Sequence, residues 1–296
     1  MTFEKKFDEF VDEINENLDK LVVEKDNLQK DIYTAMRYSL LAGGKRIRPV
    51  ILLACAEILD IDKDTVMPFA CAIEMIHTYS LIHDDLPALD NDELRRGRNT
   101  CHIEFSEALA ILAGDALLNK AFEVMSKKAI DMEHPTRGLR MLHQVSVMSG
   151  TEGMIGGQII DIQSEGKEVS KEVLETMYKG KTGCLLKAPV LVALEAANCM
   201  EDENAEILIN YVETIGVAFQ IKDDILDSIG DEKTLGKNTG RDVEKNKTTF
   251  VTIYGLEYCE ELLEELTHEA IGYAEKLGEK GKFLKELAVY LLKREN

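Results

Sequence analysis

The chain has 296 residues, a hydrophobic fraction of 45% and a formal net charge of -20. Such an acidic balance excludes a general nucleic-acid binder, which needs a dense basic face, and disfavours docking on an anionic membrane surface. With no linker, repeat, signal peptide or run of about 18 apolar residues, one domain over 1–296 without a membrane span is expected.

Helical periodicity prevails almost throughout, and strand-like alternation is scarce. Helices are expected near 3–25, 30–42, 46–59, 65–86, 106–130, 136–164, 170–198, 203–229, 247–266 and 268–294, so the fold class is all-α. Breaks are expected at 43–44, 60–64, 91–100 and 230–246, the last long enough to act as a lid. Cys55, Cys71, Cys101, Cys184, Cys199 and Cys259 are scattered without a CxxC pair, which points to a reduced, cytoplasmic protein lacking a zinc site.

The first break, Gly43-Gly44-Lys45-Arg46-Ile47-Arg48-Pro49, is a compact basic turn. Glycines let a ligand approach the backbone, and the helix start that follows favours an anion. Lys45 and Arg48 are three apart, hence on one helix face. The second break begins like a calcium loop, but Thr65 stands where glycine is needed and Cys71 where a bidentate glutamate is needed. It reads as a loop, with Asp64 or Thr65 capping the next helix.

The helix 65–86 is apolar almost all round, which predicts a central, buried element. Yet it ends on Asp84 and Asp85, at the negative end of the helix dipole, where a cation is required. In a straight helix Asp84 and Asp90 would lie about 240° apart, at about 100° per residue. Pro87 removes an amide donor and can deform the helix end, bringing Asp90 back beside Asp84. Arg95-Arg96-Gly97-Arg98 follows directly.

Further along come Lys181-Thr182-Gly183 and a second acidic cluster, Asp223-Asp224-Ile225-Leu226-Asp227, preceded by Lys222. Asp223 and Asp227 share a helix face, and Asp224 lies about 100° from Asp223. Lys237, Arg241, Lys245 and Lys247 populate the expected lid. Oxygen ligands on rigid helices suit a hard cation, and magnesium is held by a few carboxylates plus substrate phosphates. Two facing clusters would make a cage completed by a polyphosphate, whereas either cluster alone reads more readily as a solvated helix end.

These stretches identify a resemblance. The chain resembles the trans-prenyl diphosphate synthases, and most closely the bacterial-type farnesyl diphosphate synthases, in GGKRIRP (43–49), IEMIHTYSLIHDDLPALDNDELRRG (73–97), AGDALL (113–118), GMIGGQIID (153–161), KTG (181–183), FQIKDDILD (219–227) and LGKNTGRDVEKNKTT (235–249). The resemblance spans nearly the whole chain. It implies an antiparallel helical bundle around a deep central cavity, of isoprenoid synthase type, and a homodimer. It also implies elongation of dimethylallyl or geranyl diphosphate by isopentenyl diphosphate. Carried over by position, Asp84, Asp85, Asp90 and Asp223 would bind magnesium, three ions in all, with Asp227 in support. Arg95, Lys181, Thr182, Gln220 and Lys237 would hold the allylic diphosphate. Lys45, Arg48, His77 and Arg96 would hold the diphosphate of isopentenyl diphosphate. Asn91 and Phe250 depart from common family residues without removing a ligand.

In the bacterial-type family an aromatic at the position of Tyr79 floors the product pocket near fifteen carbons. Tyr79 is five residues before Asp84, roughly 7.5 Å along a helix axis. The alternative is a core tyrosine with a bonded hydroxyl. The competing functions are a geranyl- or geranylgeranyl diphosphate synthase, a terpene cyclase, and a non-catalytic partner subunit. A cyclase would not need GGKRIRP, and a partner subunit would be expected to lose one aspartate cluster.

Overall fold

The apolar periodicity becomes helix almost everywhere in the computed structural model, which describes residues 1–229 and 248–293. The fold class is all-α, as the periodicity requires. By internal contacts the chain forms two units, Met1–His143 and Gln144–Asn296.

The first unit carries α1 (Phe3–Leu21), α2 (Lys30–Leu40), α3 (Ile47–Ile58), α4 (Lys63–Asp84), α5 (Cys101–Glu104) and α6 (Glu107–Asp131). Helix α4 is its central element and packs on α3 and α6. Phe69, Ile73, Met75 and Ile76 are buried completely, each worth roughly 1.5–3 kcal/mol of transfer free energy. By length and composition α4 could also cross a membrane, but 72% of its most apolar stretch is buried within the protein. Its cap is Asp62, whose carboxylate accepts the Asp64 amide at 3.2 Å, rather than the expected Asp64 or Thr65. On α6, Gly114 makes room for α4: a Cβ there would fall 2.5 Å from Cδ2 and 2.9 Å from Cε1 of His83.

The unit boundary falls within α7 (Pro135–Ser149). One helix was expected over 136–164, but α7 ends at Ser149 and α8 (Met154–Ser164) starts anew. Gly153, at φ -122 and ψ -126, takes a backbone conformation no helix contains. The helix expected over 170–198 is α9 (Lys171–Tyr178), a π-helical turn Lys179–Cys184, and α10 (Leu185–Ala197).

Beyond α11 (Glu203–Ile229) and α12 (Phe250–Tyr254), the break expected near 267 is absent. Helix α13 (Leu256–Lys276) runs through Thr267, whose hydroxyl donates to the Leu263 carbonyl at 2.7 Å. The stop is Gly278, left-handed at φ 62, before α14 (Lys282–Lys293). Ile221 and Ile225 of α11 join Leu174, Met177, Phe250, Cys259 and Leu263 in the core of the second unit. There the Tyr211 hydroxyl donates to the Leu284 carbonyl at 2.7 Å. All six cysteines are free thiols.

Candidate active site

In the first unit the chain folds back after α4, as Pro87 suggests. The Asp90 amide donates to the Asp84 carbonyl at 2.9 Å, and the Asp92 amide to the Asp85 carbonyl at 3.1 Å. Asp84 and Asp90 are thus joined through the backbone, both half-buried, at the carboxyl end of an apolar helix. Asp85 behaves differently. It is buried, and Arg95 grips it: Nε donates to both carboxylate oxygens at 2.9 Å, and Nη2 donates to Oδ1 at 2.6 Å. Burial pushes the Asp85 carboxyl above its usual range in spite of that guanidinium.

Arg95 is carried by a hairpin, β1 (Leu94–Arg95) antiparallel to β2 (Arg98–Asn99), where only a break was expected. Its turn residues Arg96 and Gly97 have φ 53 and 72, the positive pair that a two-residue type I′ turn demands. The Arg96 guanidinium donates to the Gly43 carbonyl and lies against Gly44, where a Cβ would fall 2.6 Å from Cζ. The basic turn and the hairpin are therefore one structure.

His77 stands among these cations. Burial first, then the charges of Arg48, Arg96, Arg95 and Arg46, hold its imidazole well below the usual value of 6.5. It is neutral at pH 7 and can donate one N–H to a phosphate oxygen. Arg46, part of the same motif, turns inward instead. It is 3% exposed, with Nη1 on Glu74 Oε1 at 2.7 Å, Nη2 on the Leu40 carbonyl at 2.7 Å and Nε on Asn15 Oδ1 at 3.0 Å. Tyr79 is buried, its ring edge-on to His83 at 5.7 Å, and its hydroxyl has no hydrogen-bond partner among the described residues.

In the second unit α8 meets the π-helical turn backbone to backbone. A Cβ on Gly157 would fall 2.6 Å from Gly180 C and 2.7 Å from Lys181 Cα. One helical turn after Gly157, Asp161 pairs with Lys181, Oδ2 to Nζ, at 2.5 Å. A π-helical turn offsets the helix by one residue and recurs at functional sites. Here it carries Lys181 and Thr182. The Thr182 hydroxyl donates to Gln220 Oε1 at 3.0 Å, and Gln220 Nε2 donates to Asp224 Oδ1 at 3.2 Å. Asp224 Oδ2 also accepts the Tyr178 hydroxyl at 2.9 Å and the Phe250 amide at 3.0 Å. The second cluster therefore divides: Asp224 is buried at 4% exposure, while Asp223 and Asp227 are half-buried.

Lys237, Arg241, Lys245 and Lys247 lie outside the described residues. Among the described residues no three His, Cys, Asp or Glu side chains form a ready-made metal cage. Within each unit the donor chemistry nevertheless fits magnesium: Asp84 and Asp90 in the first and Asp223 in the second are half-buried carboxylates.

Sequence reasoning did not single out Asp161 or Tyr178, and it read Asp224 and Arg46 only as members of an acidic cluster and a basic turn. Asp161 had a signal, its place at the end of GMIGGQIID. The inward roles of the others depend on partners far along the chain.

Comparison with known proteins gives a consistent picture. The polyprenyl synthetase family model matches residues 29–287. The farnesyl diphosphate synthase of Escherichia coli (strain K12) is 37% identical over 99% of this chain and 99% of its own. The large subunit 1 of a heterodimeric, chloroplastic geranylgeranyl pyrophosphate synthase from Arabidopsis thaliana is 46% identical over 87% of this chain and 70% of its own. Among solved structures, a geranyltransferase from Helicobacter pylori complexed with magnesium and isoprenyl diphosphate superposes with a TM-score of 0.86, at 30% identity over 99% of this chain and 97% of that one.

Proposed function

The chain belongs to the polyprenyl synthetase family and is a prenyltransferase, and from that premise we propose that it makes farnesyl diphosphate. Isopentenyl diphosphate is condensed with dimethylallyl or geranyl diphosphate. The observation that carries this reading is the closed turn from Asp84 to Asp90 beside a hairpin and a basic turn, which together gather Arg95, Arg96, Arg48 and His77.

Asp84, Asp85, Asp90 and Asp223 would hold magnesium, with Asp227 in support, and we assign three ions. Magnesium supplies charge stabilisation to the diphosphate that departs. Arg95, Lys181, Thr182, Gln220 and Lys237 bind the allylic diphosphate and stabilise the same developing charge with donors fixed in advance. Lys45, Arg48, Arg96 and neutral His77 bind the second diphosphate. The allylic carbon–oxygen bond breaks with its electron pair on the diphosphate. The double bond of isopentenyl diphosphate then attacks the allylic cation, and the departed diphosphate accepts the proton that is lost.

We assign buried Tyr79 as the floor of the product pocket; among the described residues its hydroxyl has none of the partners the core-tyrosine alternative expects. We further assign a cytoplasmic homodimer without a membrane span. Exposed apolar residues on α8, Ile155, Ile159 and Ile162 at helical spacing, support a subunit contact.

The test is magnesium-dependent condensation of geranyl diphosphate with labelled isopentenyl diphosphate, with the product identified by chromatography. A fifteen-carbon product is expected, and Tyr79→Ala should lengthen it. Asp84→Ala and Asp223→Ala should each lower turnover by orders of magnitude in folded protein. A twenty-carbon product from the wild type would favour the geranylgeranyl reading, and near-normal activity of both aspartate variants would remove the metal assignment.

A further inference from the structure

Asp224 belongs to an acidic cluster by sequence, but its surroundings are not those of a metal ligand. It is 4% exposed, and its two oxygens already accept three donors: Gln220 Nε2 on Oδ1, and the Tyr178 hydroxyl and Phe250 amide on Oδ2. These donors come from α9, α11 and the first residue of α12. A carboxylate so engaged is pinned in rotation and has little capacity to present oxygens to a cation.

We propose that Asp224 is a positioning residue that sets the amide orientation of Gln220, and with it the tether to Thr182, for binding the allylic diphosphate. The proposal rests on the functional reading above and deepens it.

The argument is one of donor and acceptor complementarity. An ionised carboxylate only accepts, so the Gln220 NH2 group must face Asp224, and Oε1 must face Thr182. The Thr182 hydroxyl donates to that Oε1 at 3.0 Å, but a hydroxyl can also accept, so the orientation is set from the Asp224 end alone. One of the two Nε2 hydrogens is used by Asp224, and the other, which has no acceptor among the described residues, can meet an anionic oxygen. A flipped Gln220 would present its carbonyl oxygen on that side and repel a diphosphate. Asp224 thus acts through Gln220 without touching substrate, and the Tyr178 hydroxyl and Phe250 amide keep the carboxylate from rotating.

The variant that tests this is Asp224→Asn, which keeps the shape but carries an amide able to donate as well as accept. The Phe250 amide claims the one oxygen that remains, so an NH2 group faces Gln220 and favours its flipped orientation. We expect KM for the allylic diphosphate to rise about 10-fold, corresponding to loss of roughly one oriented hydrogen bond. KM for isopentenyl diphosphate and the magnesium concentration for half-maximal rate should stay at wild-type values. Tyr178→Phe removes one donor from the same carboxylate with little risk to folding. It should raise the allylic KM in the same direction by a smaller factor, and the two changes should be non-additive in a double-mutant cycle.

A shift in the magnesium requirement in Asp224→Asn like that of Asp223→Asn would make Asp224 a ligand and overturn the proposal. A fall in kcat alone, with both KM values unchanged, would mean a merely structural role and overturn it equally. So would wild-type constants in Tyr178→Phe together with simple additivity. Failure of the functional reading itself is distinguishable, because the wild-type protein would then show no magnesium-dependent condensation.

Discussion

Replacing Gly157 by alanine tests how closely the α8 backbone must approach the π-helical turn. The added Cβ would lie 2.6 Å from Gly180 C and 2.7 Å from Lys181 Cα, and closer still to the Lys181 amide nitrogen. Ordinary contact between such atoms begins near 3.4 Å, so the two backbones must separate by about 1 Å. Neither neighbour is a flexible side-chain tip, so overpacking here costs about 1–3 kcal/mol. The gain from alanine's better helix propensity is about 1 kcal/mol and offsets only part of that. The same separation stretches the 2.5 Å pair between Asp161 and Lys181 toward the limit of a hydrogen bond. If Lys181 binds the allylic diphosphate as proposed, displacing it by about 1 Å lowers kcat/KM by about 10²-fold. The assay pairs thermal denaturation with steady-state kinetics in the allylic substrate. Gly272→Ala on α13 is the control, since a Cβ there meets nothing within 4 Å; it should stabilise by about 0.5–1 kcal/mol. A Gly157→Ala protein with wild-type melting temperature and wild-type kcat/KM would refute the claim that this approach is tight.

Two further outcomes follow from the first unit. Glu74→Gln leaves Arg46, 3% exposed, without its counter-charge and should destabilise by about 3–5 kcal/mol, whereas Arg46→Met combined with Glu74→Leu should be far milder; equal losses measured in urea would contradict the pairing argument. His77, held below its ordinary value, stays neutral in the folded chain while the unfolded chain takes up a proton below about pH 6.5. Stability should therefore fall as pH drops below that point and be unaffected by this group above it. His77→Gln should flatten the urea midpoint between about pH 5 and 6.5, and an unchanged slope would show that other groups set it.

Much of this was legible in the sequence, for reasons that are local. The all-round apolar run of 65–86 predicted a buried helix, and Pro87, two residues after Asp85, allowed the fold-back that joins Asp90 to Asp84. The roughly 100° between Asp223 and Asp224 also separated those side chains, but periodicity could not say which of the two faced inward. That depended on Tyr178 and Phe250, 46 and 26 residues away. Arg46 read as part of a basic turn because Glu74, its partner, is 28 residues further on. The π-helical turn left no mark because it displaces the helix register by one residue and is packed against Gly157 of another helix. The hairpin at 94–99 is too short to show alternation, and Arg-Gly is a weaker turn signal than Asn-Gly.

The seat of Arg96 over Gly44 has a consequence for inheritance and engineering. Fifty-two positions of chain separate them, yet neither is interchangeable alone: a methyl group at 44 evicts the guanidinium, and a shorter side chain at 96 leaves the loop carbonyl of Gly43 unmet. A chimera that grafts one segment without the other inherits half of a lock, and exchanges between related chains should succeed only when both travel together.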